Sequence, residues 1–359
     1  MHGRPARILT KVLIAHRMFT NKPFPAGDAT MASMTRYIVS RSLQTFVTLL
    51  IILTLIFIMF ESLPAKPQDL LRTAPNITQG QIDYMTHLYG YDRPILERYG
   101  IYMTNMLTFD FGISFSKAEP VWSILEDRIP RTMILFGGAT ILAYIIGIYL
   151  GALIAWRRGG VLDGGTVVTS LVFYNMPSFW IGLIFLVIFA SELDWFPLTG
   201  WYDETDLIFG LEPGGLLYKI LDISWHMFLP MLVLLLLSLA GTVLLMRTAM
   251  LDVIGENYMI TAKAIGLPER KVLFRHGSRN AMLPVVTSFI IAFVFAIGGA
   301  VVLENVFSFP GMGALYIDAL SELDFPVAEA TLYIITLMVL LGNFIADLLY
   351  SYLDPRVRI

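Results

Sequence analysis

Few side chains in this sequence stand in patterns that could do chemistry. The five histidines, His2, His16, His87, His226 and His276, show no metal-ligand spacing. Cysteine is absent, which removes disulfides, thiolate metal sites and a cysteine nucleophile. No Gly-x-x-x-x-Gly-Lys-Ser/Thr phosphate loop occurs, so the chain is not expected to bind ATP itself. No Gly-x-Ser-x-Gly nucleophile elbow is present, and neither catalysis nor a cofactor is expected. Ionisable groups within or beside apolar runs are default functional candidates. Here they are Glu304, Glu329 and Asp347, the last with Asn343 one helical turn earlier. All three lie towards the ends of their runs, where solvation or pairing is the plainer account of them. A proton-coupled carrier would more typically place a carboxylate near mid-membrane.

The stretch with the most distinctive composition is basic and spans residues 256–284, ENYMITAKAIGLPERKVLFRHGSRNAMLP. It separates two long apolar runs. Its local chemistry predicts a short helix from Tyr258, a stop, and a second short helix. Gly266 suits the left-handed position that ends a helix, and Pro268 the first turn of the next. Glu269 complements the start of the second helix dipole, and Arg275 and Arg279 its end. Pro284 then marks the start of the following apolar run. A solvated loop without a partner is the plain alternative.

The elements that position this stretch are membrane spans. Hydrophobic residues make up 56% of the chain and charged residues 15%, where a soluble domain carries about a quarter charged. Apolar runs of about twenty residues mark bilayer crossings. Six are read, at about 43–60, 132–156, 167–190, 227–246, 285–303 and 327–350. Small residues in the second, among them Gly137, Gly138, Gly147 and Gly151, would let helices approach closely. The third contains Asn175, Pro177 and Ser178, and two readings stay open there: a packed kink, or a flexible point beside a translocation path.

Residues 1–33 are basic, with Arg4, Arg7, Lys11, Arg17 and Lys22, and are expected to be an extension that is disordered or not native. Residues 34–62 hold the first span, 63–131 an outer loop, and 132–359 the remaining five spans. The outer loop contains an Asn76-Ile77-Thr78 triplet of the glycosylation type, a pattern common by chance. Lys and Arg in short loops stay in the cytoplasm. Arg36, Arg41, Arg157, Arg158, Lys263, Arg270, Lys271, Arg275, Arg279, Arg356 and Arg358 therefore predict both termini and the basic stretch inside. The stretches 191–224 and 304–326 fall outside. The first is acidic, with Asp203, Glu204, Asp206, Glu212 and Asp222 against Lys219, and the second has no Lys or Arg.

Three segments carry a resemblance. Ala262-x-x-x-Gly266 followed by RHGSRNAMLP resembles the coupling loop of ATP-binding-cassette importer permeases of the dipeptide/oligopeptide/nickel class. The general loop pattern begins Glu-Ala-Ala where this chain reads Ile260, Thr261, Ala262. It also places Leu-Pro where this chain has Ser278 and Arg279; Leu283-Pro284 comes later, as in the peptide-type subclass. The passage from FDFGISF to RIPRT resembles the lead-in to the second span of those permeases. LENVFSFPGMGALYIDAL, then Asp324-Phe325-Pro326, then Asp354-Pro355-Arg356, resembles their C-terminal part. The likeness covers residues 34–359.

The resemblance implies an all-α integral membrane fold: a type I importer transmembrane domain of six helices with a long extracytoplasmic loop after the first. It implies a permease subunit of a binding-protein-dependent importer, most simply for di- or oligopeptides, in the cell membrane. The implied partners are a homologous second permease, two ATPase subunits, an extracytoplasmic binding protein and lipid, with no nucleic acid. An ATPase-contacting loop follows, comprising Tyr258, Thr261, Ala262, Lys263, Gly266, Leu267, Arg270, Arg275, His276, Arg279, Asn280 and Pro284. Asn175, Pro177, Ser178 and Glu304 are candidates for the translocation path. The alternatives are an ion-coupled secondary transporter, a membrane scaffold, or the same importer class carrying oligosaccharides or nickel.

Overall fold

The apolar runs fold as helices because a bilayer leaves every backbone amide to be satisfied within its own segment. The structure, a computed structural model, describes residues 31–63, 80, 87, 92–203, 215–297 and 301–353. The basic arm 1–30, the Asn76 triplet, Glu204, Asp206, Glu212, Asp354, Pro355, Arg356 and Arg358 lie outside the described residues. Met31, Ala32 and Ser33, read with the N-terminal extension, belong to the first helix.

The helices are α1 (Met31–Glu61), α2 (Ile95–Thr108), α3 (Val121–Thr132), α4 (Gly138–Trp156), α5 (Val161–Asn175), α6 (Ser178–Phe185) and α7 (Gly215–Ile254). They continue as α8 (Asn257–Ala264), α9 (Glu269–Lys271), α10 (Arg279–Ile297), α11 (Val301–Val306), α12 (Met312–Ser321) and α13 (Phe325–Leu353). Among the described residues, five continuous helical stretches are long and apolar enough to cross a membrane, and a sixth crossing arises if the bent pair 161–175 and 178–192 counts as one.

Three boundaries differ from the sequence reading. The second crossing starts at Val121, because α3 runs through a π-helical turn (Met133–Gly137) into α4. Its N-terminal part carries Glu126, Asp127, Arg128 and Arg131, and these charges disguise a helix that extends beyond the apolar zone. The third crossing is not one helix. Met176 and Pro177 are extended, and α5 and α6 meet at a bend of 103°. The fourth begins at Gly215, so Lys219 and Asp222, read as loop, are helical.

Packing falls into linked clusters. On α1 a stripe of Leu49, Leu53, Ile56 and Phe60 is buried against α2, α3, α12 and α13, including Tyr102, Leu125, Met312 and Tyr333. Its other faces expose Leu43, Phe46, Val47, Ile51, Leu55 and Ile58, as suits contact with lipid. At one end, Arg41 Nε donates to Asp347 Oδ2 at 2.5 Å, pinning the start of α1 to the end of α13. Asp347 is thus a paired carboxylate.

The α4–α7 contact is set by Gly147 and Gly151. A Cβ on Gly147 would lie 2.7 Å from Thr242 Cγ2, and one on Gly151 2.7 Å from Met246 Cβ and 2.8 Å from the Val243 carbonyl oxygen. Tyr144, Ala152, Met246, Met250, Leu273, Ala281 and Val285 complete that core. Between α10 and α13, Ile290, Val294 and Ala346 pack together. Outside the crossings, Asp324 Oδ2 accepts from Ser114 Oγ (2.5 Å), Ser116 N–H (3.1 Å) and Ser116 Oγ (2.9 Å), tying the 110–120 turn to the start of α13.

Candidate functional site

Residues 256–284 begin as the sequence suggested. The helix α8 starts after Glu256 in extended conformation, and its C-terminal turn closes through Ile265 N–H to the Thr261 carbonyl at 3.1 Å. Gly266 follows with φ +77°, the left-handed stop, and its N–H donates to the Lys263 carbonyl at 3.0 Å. Pro268 flanks the next helix, which starts at Glu269.

The second half differs from expectation. No separate short helix ends near Arg279. Helix α9 passes through a second π-helical stretch (Val272–Ser278) into α10 without a stop. Arg275 and Arg279 are therefore mid-element, and Pro284 sits inside α10 rather than at its start. The wide turn is locally satisfied: Ser278 Oγ donates to the Leu273 carbonyl, five residues back, at 3.1 Å.

One face of α8 is buried. Met259 is 0% exposed and Ala262 5%, packed on Val272 with Trp156, Val253 and Leu267. The small side chain of Ala262 suits this close contact. Lys263 Nζ lies over the Trp156 ring at 4.5 Å, a cation–π geometry. The opposite face is open: Tyr258, Thr261, Ile260, Ile265 and Gly266 are exposed, Ile265 at 69%. A Cβ on Gly266 would meet nothing within 4 Å. Arg270, Arg275, Arg279 and Asn280 are also exposed, while Leu267 and His276 are half-buried. The result is an apolar and cationic surface seated on a packed base.

Sequence reasoning missed the base itself. Gly277 faces Met250 Cε at 3.0 Å and Met259 Cε at 3.2 Å from where its Cβ would be, so α7, α8 and the π turn converge there. Trp156 was read only as the end of a span. The three-residue spacing of Met259 and Ala262, which puts both on one face of a helix, is the signal that could have found it.

The other candidates lie elsewhere. Asn175 and Pro177 stand at the α5–α6 break, where Asn175 Nδ2 donates to the Leu171 carbonyl at 2.7 Å, and Ser178 opens α6. Glu304 is 1% exposed and enclosed by protein. Its Oε1 accepts from Thr132 Oγ1 at 2.9 Å and its Oε2 from Ala314 N–H at 2.9 Å. Thr132 Oγ1 in turn accepts from Met312 N–H at 2.8 Å. A carboxylate at the N-terminus of α12 is favoured by its unpaired amides and dipole. The side chain therefore joins α3, α11 and α12.

The family described as binding-protein-dependent transport system inner membrane component matches residues 131–359. Its N-terminal counterpart matches residues 34–136. The chain belongs to this family. The permease is 38% identical over 326 residues to the oligopeptide transport system permease protein AppB of Bacillus subtilis, covering 90% of this chain and 100% of that one. It is 34% identical over 315 residues to the di/tripeptide transport system permease protein DppB of Pseudomonas aeruginosa, covering 85% and 93%. Against the dipeptide transport system permease protein DppB of Escherichia coli K12 it is 32% identical over 340 residues, covering 90% and 99%.

The permease is thus the multi-pass membrane component of an ATP-binding-cassette importer. The two family segments meet inside the continuous α3–α4 stretch, at the π turn, and not at a loop. The α8 surface and the Glu304 junction both fall in the second segment.

Proposed function

We propose that this permease imports peptides and that the open face of α8 is where an ATPase subunit docks. The carrying observation is the exposed pairing of apolar and cationic groups on a helix whose other face is fully packed. Tyr258, Thr261, Gly266, Arg270, Arg275, Arg279 and Asn280 contribute to this surface. Ala262, Lys263, Leu267 and Pro284 shape or anchor it, and His276 lies half-buried beside it. Solvent-facing isoleucines at 60% on α8 and 69% at its C-terminal cap gain by being covered. Peptide cargo is supported by the names of relatives that align over nearly their whole length.

The same reading places α8 and both termini in the cytoplasm. Contacts support a common end for the basic segments: Trp156 touches Lys263, Ile290 on α10 packs with Ala346, and Asp347 holds Arg41. A homologous second permease would complete the path beside the α5–α6 break with Asn175, Pro177 and Ser178, two ATPases would bind below, and an extracytoplasmic binding protein would deliver cargo above.

The test is peptide uptake by the reconstituted transporter carrying wild-type permease or Gly266→Val. A Val side chain at φ +77° strains the stop by about 1 kcal/mol or more and adds bulk to an open surface. The variant should insert normally but lose uptake and ATPase binding. Normal uptake by the variant would sink the docking role, and a wild-type transporter indifferent to peptides would sink the cargo assignment.

A further inference from the structure

The turn between α4 and α5 is held from two sides. On one side, Trp156 at the end of α4 lies under Lys263 of α8 and packs with Met259, Ala262 and Val272. On the other, Asp163 in the first turn of α5 is 4% exposed and meets Arg247 of α7 through both oxygens. Arg247 Nε donates to Oδ1 at 2.6 Å and Nη2 to Oδ2 at 2.9 Å. Gly159 N–H adds a third bond to Oδ2 at 2.9 Å, from a turn where Gly159 has φ +81°. Arg247 lies two turns before the end of α7 at Ile254, after which Glu256 leads into α8.

A carboxylate this buried is costly unless paired and hydrogen-bonded, and such pairs are poor evidence of net stabilisation. What a forked guanidinium–carboxylate pair supplies is geometry, because two parallel bonds fix angle as well as distance. Neither the docking surface nor the path residues include this pair.

We infer that Asp163 and Arg247 are positioning residues that form a strut carrying displacement of the 256–284 segment into α5, and so towards the break at Met176 and Pro177. Movement of α8 pulls on α7 through Gly255 and on the α4 end through Trp156. Without the strut, α5 could pivot about the glycine-containing turn and absorb that movement. With it, α5 follows the end of α7. The inference rests on the docking reading for the origin of the movement.

The experiment compares Arg247→Lys and Asp163→Asn with wild type in the complete transporter in proteoliposomes. Peptide transported and ATP hydrolysed are measured together, along with ATPase subunits bound per permease. Lysine keeps the charge but cannot fork, and asparagine keeps the shape and the Gly159 acceptor but loses the charge. The expected result is full ATPase binding and binding-protein-stimulated hydrolysis, with transport per ATP down about fivefold, the low end of usual coupling between sites. An unchanged ratio overturns the strut. So does transport lost only in proportion to assembled complex, loss of bound ATPase subunits, or failure of both variants to assemble. Gly266→Val measured in parallel separates the two proposals. A lowered ratio in Arg247→Lys beside a normal Gly266→Val keeps the link from α7 to α5 and removes the Gly266 surface as the origin of the movement.

Discussion

Two glycines in this chain are required for opposite reasons. Gly266 is needed for its φ of +77° and has open space around it. Gly151 has ordinary helical geometry but no room, since the Val243 carbonyl oxygen and Met246 Cβ stand under 3 Å from where its Cβ would be. Backbone atoms cannot rotate aside, so Gly151→Ala must separate α4 from α7. Overpacking of this kind costs about 1–3 kcal/mol. The thermal midpoint of the detergent-solubilised protein should fall clearly for Gly151→Ala, and an unchanged midpoint would show that α4 and α7 can part freely. Gly266 was legible in sequence because a helix stop has a local signature. Gly151 was legible only as one small residue among several, since its partner is about ninety positions away. The Glu304 environment was not legible at all: the donors to its carboxylate, Thr132 and Ala314, lie on two other helices.

At the scale of elements, the apolar crossings were legible and their ends were not. Hydropathy reports where lipid begins, whereas a helix continues as long as its amides are satisfied. Thus α3 extends outward from the second apolar run under a charged surface, and α7 begins well before the fourth. Proline alone did not tell a break from a continuing helix. Pro177 marks a true break, with Met176 before it also extended, while Pro130, Pro230 and Pro284 sit within helices. Neighbouring helices can absorb the lost backbone bond in a membrane interior. The π turn after Pro130 and the one before Pro284 have no periodic signature to find. The packing of α8 yields a prediction of its own. Trp156→Ala removes the cation–π partner of Lys263 and the floor under Met259 and Ala262. A cation–π contact contributes about 0.5–2 kcal/mol, so trypsin should cut after Lys263 roughly tenfold faster in the variant, by the conversion of about 1.4 kcal/mol per tenfold. Equal cleavage rates would mean that α8 is held by other contacts.

At the scale of the whole molecule, the proposed orientation rests on charge. Trp156, just before Arg157 and Arg158, lies against Lys263 of α8, and the bias of Lys and Arg towards the cytoplasm would put that end inside. The chain has no cysteine, so a single one placed at Arg270 reports without background. A membrane-impermeant maleimide should leave it unlabelled in intact cells and label it once the membrane is opened. Efficient labelling from outside would invert the topology, and with it the docking proposal. Family membership and the all-helical membrane fold were legible because they are written in long runs and in ordered motifs. The strut at Asp163 was not, because a lone aspartate after a glycine pair has no distinctive spacing.

The pairing of α1 with α13 also sets an order of events. Arg41 and Asp347 lie 306 positions apart, and the stripe of Leu53, Ile56 and Phe60 closes largely on α13. At about 5–20 residues per second, the ribosome needs roughly 15–60 s after making Arg41 to make its partner. During that interval α1 is without its final neighbour, and its stripe faces lipid or whatever protein attends insertion. A crossing made early is therefore among the last to be packed.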